Sequence, residues 1–251
     1  MKKLCPILAL LVLLPLLRAQ APAAPQKVDA SAAIEKNDAS GKFQWMHKSF
    51  LARAKQPMDV LFIGDSITEG WVRAPHVWDH FYGMLRPANF GIGGDQTQHV
   101  VWRIENGELD GAKPKVVVLM LGTNNTGAHS AEEIAAADKK IVEQIRAKIP
   151  AAKVLVLAVF PRGARKDAQG IITEQVKADA AKRQATIDGV NAELAKLDDG
   201  KDVRFLDINS VFVGQDGKIP FAIMPDQLHP NAAGYQLWAD AMQPLLTQMM
   251  K

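Results

Sequence analysis

Val116-Val117-Val118-Leu119-Met120-Leu121-Gly122-Thr123-Asn124-Asn125 is the stretch whose reading decides the fold. Six apolar residues follow one another without alternation and end abruptly in glycine and three polar residues. A strand with one wet face alternates apolar and polar positions. A continuous run is instead buried on both faces, as a parallel sheet covered by helices requires. Similar signals occur at residues 60–63, 88–90, 154–159 and 203–206, all but the third of them shorter. Helical periodicity fills the gaps at 71–85, 96–106, 131–149, 178–197 and 232–249. Repeated strand–helix alternation with right-handed crossovers predicts a doubly wound, three-layer α/β/α domain on a five-stranded parallel sheet. Most of Phe43, Trp45, Met46, Phe50 and Leu51 share one helical face before Pro57, so a packing helix precedes the first strand. The 251 residues, 48% of them hydrophobic, suit one such domain over 42–251. Trp45, Trp102 and Trp238 fall on apolar helical faces and are expected in its core.

The N-terminus reads differently. Lys2 and Lys3 precede an apolar stretch that leads into small residues at Ala19, Ala21 and Ala23, the pattern of a cleaved secretory signal over residues 1–21. The stretch falls short of the roughly 20 apolar residues of a membrane span and contains Pro6 and Pro15. Residues 22–41, rich in Ala, Pro and polar side chains, read as a flexible leader. Processing would remove Lys2, Lys3 and Arg18 from the 30 basic residues, leaving 27 against 27 acidic ones. The formal charge of +3 therefore gives no support to nucleic-acid or membrane-surface binding. Cys5, the only cysteine, would leave too, and with it any disulfide, thiolate nucleophile or cysteine metal site. The expectation is an exported protein, periplasmic or secreted, without a retained membrane anchor.

In a parallel sheet, ligands bind beyond the carboxyl ends of the strands. Gly64-Asp65-Ser66 follows the first strand, Gly93-Gly94 the second and Gly122-Thr123-Asn124-Asn125 the third, so all three converge on one rim. Asp226-Gln227-Leu228-His229-Pro230 precedes the last helix and brings a carboxylate and an imidazole within one turn. A serine hydroxyl becomes nucleophilic when a base takes its proton and a third group orients that base. Ser66, His229 and Asp226 fit those parts. The backbone N–H of Ser66, a glycine-loop N–H for which Gly94 is the best candidate, and the Asn124 amide could receive an oxyanion.

These residues resemble the four sequence blocks of the SGNH (GDSL-type) hydrolases: Val60-Leu61-Phe62-Ile63-Gly64-Asp65-Ser66, Asn89-Phe90-Gly91-Ile92-Gly93-Gly94-Asp95, Leu121-Gly122-Thr123-Asn124-Asn125 and Asp226-Gln227-Leu228-His229-Pro230. Their order and approximate separations match as well. Within that superfamily the chain is most similar to platelet-activating factor acetylhydrolase catalytic subunits and their secreted bacterial relatives. Asn106-Gly107-Glu108-Leu109, Lys113-Pro114-Lys115 and Phe160-Pro161-Arg162-Gly163 extend the likeness. The resemblance implies a flavodoxin-like fold and ester hydrolysis without a metal or other cofactor. It assigns Ser66 as nucleophile, Gly94 and Asn124 as oxyanion donors, His229 as base and Asp226 as its partner. A small-molecule ester is the expected substrate, acetylated carbohydrate foremost given the export signal. A lipid ester is the rival, and a non-catalytic carbohydrate-binding protein the reading from another class.

Each block alone has a plainer reading. Gly-Asp-Ser makes turns and helix caps, and Asp226 with His229 could be a surface pair at a helix start. Their joint occurrence at the right ends of the right elements favours catalysis. His76 and His80 lie four apart, but Val77 and Trp78 occupy the place where a zinc-protease helix carries glutamate, so no metal is expected. Four residues are candidates for substrate contact. Ile67 and Leu228 flank nucleophile and base and would narrow the acyl pocket to short groups. Trp71 lies five residues past Ser66, as a rim platform or a core residue. Arg162, after the fourth strand, either reaches the rim or caps a loop carbonyl. Asp95 is expected to brace the glycine loop.

Overall fold

The structure, a computed structural model, describes residues 27–166 and 169–251. The expected signal peptide, Cys5 and residues 22–26 of the leader lie outside the described residues. After α1 (Lys42–Arg53) the chain alternates: β1 (Val60–Gly64), α2 (Ser66–Glu69), α3 (Pro75–Tyr82), β2 (Ala88–Gly91), α4 (Thr97–Glu105), β3 (Val116–Met120) and α5 (Ala131–Lys148). It continues through β4 (Lys153–Leu157), α6 (Glu174–Leu194), β5 (Val203–Leu206) and α7 (Ala232–Met249). The five strands form one sheet in the order β2-β1-β3-β4-β5, with every pair parallel. The sequence placed each of the five.

Alternate side chains of each strand feed two cores. Leu61, Ile63, Val117, Leu119, Val154 and Val156 pack with Phe50, Val101, Ile141 and Ile187 beneath α1, α4, α5 and α6. Val60, Phe62, Val118, Met120, Leu155 and Leu157 pack with Val77, Tyr235, Trp238 and Met242 beneath α3 and α7. All five residues of β3 are buried, which explains why Val116 to Met120 contain no polar side chain. Each fully buried Val, Leu or Ile contributes about 1.5–3 kcal/mol. Strand order reverses at β1, since the chain moves from β1 outward to β2 and then crosses back to β3. Loops leaving β1 and β3 therefore diverge at the adjacent carboxyl ends of two paired strands, opening the crevice where such folds bind ligands.

Three expectations need correction. The helix read over 71–85 is broken into a 3-10 turn at Gly70–Arg73, then α3, then a second 3-10 turn at Gly83–Leu85. Pro75 stands at the first position of α3, where its missing N–H costs nothing, whereas deeper in a continuous helix it would break the ladder. Trp45 is 69% exposed. The buried stripe of α1 consists of Phe43, His47 and Phe50, and a residue two positions from Phe43 and His47 points away from that stripe. The third correction concerns the leader. Over its described part, 27–41, it is hydrogen-bonded to the domain at Val28, Ala30, Ser31, Ile34 and Lys36, and Ala30 is buried. Composition suggested a tether because these contacts are made mainly by backbone carbonyls, which no side-chain pattern announces.

Candidate active site

Ser66 is the first residue of α2, directly after β1. The turn into it is tight: a Cβ on Gly64 would lie 2.2 Å from Thr68 Oγ1 and 2.5 Å from the Met120 carbonyl oxygen, so glycine is required. Asp65 caps the helix, its Oδ1 accepting from the Ile67 N–H at 2.9 Å. The Tyr235 hydroxyl donates to the Ile67 carbonyl at 2.7 Å, which ties α7 to the serine-bearing turn. Because α7 begins soon after His229, this bond also fixes the imidazole's element relative to Ser66.

Ser66 Oγ lies 2.9 Å from His229 Nε2, and His229 Nδ1 lies 2.7 Å from Asp226 Oδ2. Asp226 Oδ1 accepts from the backbone N–H groups of Leu228 and His229, at 3.1 and 2.7 Å. Partial burial opposes ionisation of Asp226, but the His229 amide and ring, helped by Arg165, outweigh it and hold the carboxyl below the usual aspartate range. A proton on Nδ1 facing an ionised Asp226 leaves Nε2 as the acceptor facing Ser66. Gln227 between them adopts φ 61°, a strained conformation for a residue with a side chain. Its carbonyl accepts from Gly163 N–H at 2.8 Å and its amide donates to the Ile219 carbonyl at 3.1 Å, which hold the turn in place.

Gly94 and Asn124 arrive at the same rim. Gly94 is exposed with φ 75°. Asn124 Nδ2 donates to the Asp95 carbonyl at 2.8 Å and, at a longer 3.2 Å, to Asp65 Oδ2. Asp65 is fully buried, and burial with the nearby Asp95 charge raises its pKa to about 7 despite the Ile67 hydrogen bond. The glycine loop is pinned from both sides. Gly93 N–H donates to Glu69 Oε2 at 2.6 Å, Glu69 Oε1 pairs with Lys42, and Lys36 Nζ donates to the Gly93 carbonyl.

The four substrate-contact candidates divide. Trp71 is 1% exposed, enclosed by Phe62, Trp78, Tyr82, Tyr235 and Trp238, so it is a core residue rather than a rim platform. Arg162 donates from Nη1 to the Thr123 carbonyl and Oγ1, both at 3.2 Å. It caps the turn carrying Asn124, the plainer of its two readings. Ile67 is fully buried and Leu228 is 5% exposed; both pack into the core beneath the serine and the imidazole. Asp95 braces the glycine loop as expected, through Lys36 and the Asn124 bond to its carbonyl. A cavity of about 380 Å³ opens beside His229 and Asp226, bounded by Arg73 and Asn231. Another of about 540 Å³ lies along Arg162, Gly163 and Gln227, with Phe221 at its edge.

Lys36, Glu69, Arg165 and Gln227 went unseen in the sequence as parts of this site. Only Gln227, inside the Asp226–His229 peptide, carried a positional signal. The others act on partners 24 to 61 positions away, and no local spacing encodes such contacts.

A serine hydroxyl, an imidazole and a carboxylate in line at the carboxyl edge of a three-layer parallel sheet are the arrangement expected of a serine hydrolase of the SGNH type. The GDSL-like Lipase/Acylhydrolase family model matches residues 62–237, and the chain belongs to that family, a family of carboxylic ester hydrolases. Human platelet-activating factor acetylhydrolase IB subunit alpha1 is 37% identical over 216 residues, covering 85% of this chain and 87% of that one. The rat alpha2 subunit is 36% identical over 218 residues, at 85% and 88% coverage. A putative acylhydrolase from Bacteroides fragilis superposes with a TM-score of 0.66 at 23% identity, over 86% of this chain and 100% of the other. That likeness establishes the shared fold. Among the described residues, no helix is long and apolar enough to cross a membrane.

Proposed function

We propose that this chain is an exported esterase that removes short acyl groups, acetyl foremost, from carbohydrate through an acyl-enzyme on Ser66. The observation that carries the mechanism is the unbroken line Asp226 Oδ2, His229 Nδ1, His229 Nε2, Ser66 Oγ, with links of 2.7 and 2.9 Å. Ser66 Oγ attacks the ester carbonyl carbon while His229 Nε2 takes its proton. The carbonyl π pair moves to oxygen, and this oxyanion is received by the N–H groups of Ser66 and Gly94 and by Asn124 Nδ2. The longer Asn124 bond to Asp65 is the one the oxyanion displaces, while the shorter bond to the Asp95 carbonyl keeps the amide aimed. Collapse expels the alcohol, protonated by His229. Water then attacks the acyl-serine carbonyl as His229 takes its proton, and collapse breaks the bond to Ser66 Oγ, which regains the proton from His229 as the acid leaves.

Two observations support a short acyl group. Ile67 and Leu228, adjacent in the chain to nucleophile and base, are packed into the core and so cannot swing aside to admit a long chain. The homologous subunits are also named acetylhydrolases. Those names equally favour a second reading, in which the acetyl group sits on a phospholipid. The signal-like residues 1–21 support export and, with it, the carbohydrate reading; N-terminal sequencing of the protein recovered outside the cytoplasm tests the export.

Ser66→Ala tests the mechanism. It should lose turnover of p-nitrophenyl acetate by about 10⁶-fold in kcat and lose all labelling by a fluorophosphonate. Retained labelling would overturn the assignment of the nucleophile. An acyl series from acetate to decanoate tests the pocket, and faster turnover of the long chains would sink the short-acyl reading. Release assays on acetylated xylan, acetylated amino sugars and an acetyl phospholipid then decide between the two substrates.

A further inference from the structure

The match to the family begins at residue 62, yet one side chain gripping the glycine loop comes from well before it. We propose that Lys36 is a positioning residue for ester hydrolysis: its ammonium orients and polarises the Gly93–Gly94 peptide, so that the N-terminal strap, residues 27–41, completes the oxyanion site. The inference rests on the reading of the Gly94 N–H as an oxyanion donor.

The Gly93 carbonyl and the Gly94 N–H belong to one planar trans peptide and point in opposite directions. Lys36 Nζ donates to that carbonyl, so it determines where the Gly94 N–H points. A cation on the oxygen also draws electron density through the amide, which makes the N–H a stronger donor. Neither glycine has a side chain with which to lock its own backbone, and Gly94 sits at φ 75°, a region glycine enters as readily as it leaves for negative φ. External pins must supply the rigidity that oxyanion stabilisation demands. Glu69 pins the Gly93 N–H from one side and Lys36 the Gly93 carbonyl from the other. Lys36 is close enough to the loop that a Cβ on Gly94 would meet its Nζ at 3.2 Å.

The lysine is held in turn. Its side chain is only 19% exposed, and it pairs with the buried Asp95 at 3.3 Å. The strap that delivers it is fastened at four points. The Val28 carbonyl pairs with His129 Nε2 at 2.7 Å, the Ala30 carbonyl accepts from Thr97 Oγ1 at 2.7 Å, the Ser31 carbonyl accepts from Lys140 Nζ at 3.0 Å, and Ile34 N–H donates to the Gln98 carbonyl at 3.2 Å. A lysine serving only to neutralise Asp95 would not need its second donor on the Gly93 carbonyl.

The test compares Lys36→Met and Lys36→Arg with the unaltered protein, reading kcat and KM for p-nitrophenyl acetate, the rate of fluorophosphonate labelling and the melting temperature. Lys36→Met should lower kcat by about tenfold or more, a fraction of what losing a whole oxyanion donor costs, with KM within about threefold. Labelling should slow by a similar factor, since phosphonylation also builds charge on an oxygen at that site. Lys36→Arg should restore most of both rates. Lys36→Met also removes one of the two cations beside the Asp95 carboxylate, leaving Arg103 at 3.5 Å, so the double variant with Asp95→Asn, compared with Asp95→Asn alone, gives the same reading without that change around a buried charge. A kcat within twofold of the unaltered protein overturns the inference, as does a loss that follows the melting temperature and is not restored by arginine. If Ser66→Ala is inactive while Lys36→Met is fully active, this inference alone fails. If Ser66→Ala still turns over, the reading beneath it fails too.

Discussion

Asp226 grips His229 twice, through the ring at Nδ1 and through the backbone N–H, both at 2.7 Å. The carboxylate therefore selects the tautomer and fixes the ring plane together. Asp226→Asn preserves the shape but presents an amide that can donate to Nδ1, which moves the ring proton to Nε2 and leaves no acceptor for Ser66. A loss of about 10⁴-fold in kcat is expected, by analogy with the same change in other triads, with the melting temperature little altered. Steady-state turnover of p-nitrophenyl acetate measures it; a loss below tenfold would show that His229 finds its orientation elsewhere. Arg165, which also reaches Asp226 at 2.9 Å, is half exposed, and an exposed pair of this kind contributes little. The residues of the proposed triad were legible in the sequence because they sit inside short peptides at element ends. Asp65 was legible only as a turn former. Its contact with Asn124 spans 59 positions and joins two loops that meet only because β1 and β3 are neighbours.

One side chain sets how α6 meets the sheet. Asn191, on the buried face of the helix, accepts from the Val159 N–H at 2.7 Å and donates to the Val159 carbonyl at 3.0 Å. It thereby satisfies a buried backbone just beyond the end of β4, where the ladder with β5 has stopped. Asn191→Ala leaves the Val159 N–H without its acceptor, while the Val159 carbonyl keeps the Asn209 amide at 2.9 Å, and should destabilise the fold by about 1–3 kcal/mol. Urea denaturation reads this directly, and a change under about 1 kcal/mol would mean that water or another acceptor takes up the Val159 N–H. The sequence announced α6 by its periodicity but placed its start at 178 rather than Glu174. The first turns are wet, so no apolar stripe marks them; the true start is marked by the cap, Thr173 Oγ1 accepting from the Val176 N–H. The strands were read more surely, since a doubly buried run such as Val116 to Met120 admits few other interpretations. Where backbone polar groups do the binding, as in the strap, hydropathy is silent.

At the scale of the whole molecule, the two cores leave a seam behind the rim in which several ionisable groups are enclosed. Asp138 is 1% exposed with neither carboxylate oxygen paired, and burial, with the nearby Asp65, raises its pKa well above the ordinary value. Burial lifts Asp65 to about 7 and Asp95 to about 6, the latter against the pull of Arg103 and Lys36. Burial, reinforced by Lys36 and Arg103, depresses His99 to about 4, and its Nδ1 accepts from the Gln96 N–H as a neutral ring must. Between about pH 4 and 6 the folded chain keeps protons on three carboxyls that the unfolded chain has released. Over the upper part of that range, where the carboxyls that the fold holds low are ionised in both states, the chief proton it lacks is the one on His99. The folded state therefore binds more protons, and stability falls as pH rises from about 4 towards 7. Below pH 4 the sign reverses, because groups such as Asp226, whose carboxyl is held low, lose their contribution as they protonate. Denaturant midpoints should thus be higher at pH 5 than at pH 8. Asp138→Asn, which mimics the protonated carboxyl, should raise the midpoint at pH 8 while leaving it nearly unchanged at pH 4. A wild-type midpoint that increases from pH 5 to pH 8 would show that these carboxyls are ionised in the fold, with water or cations reaching the seam.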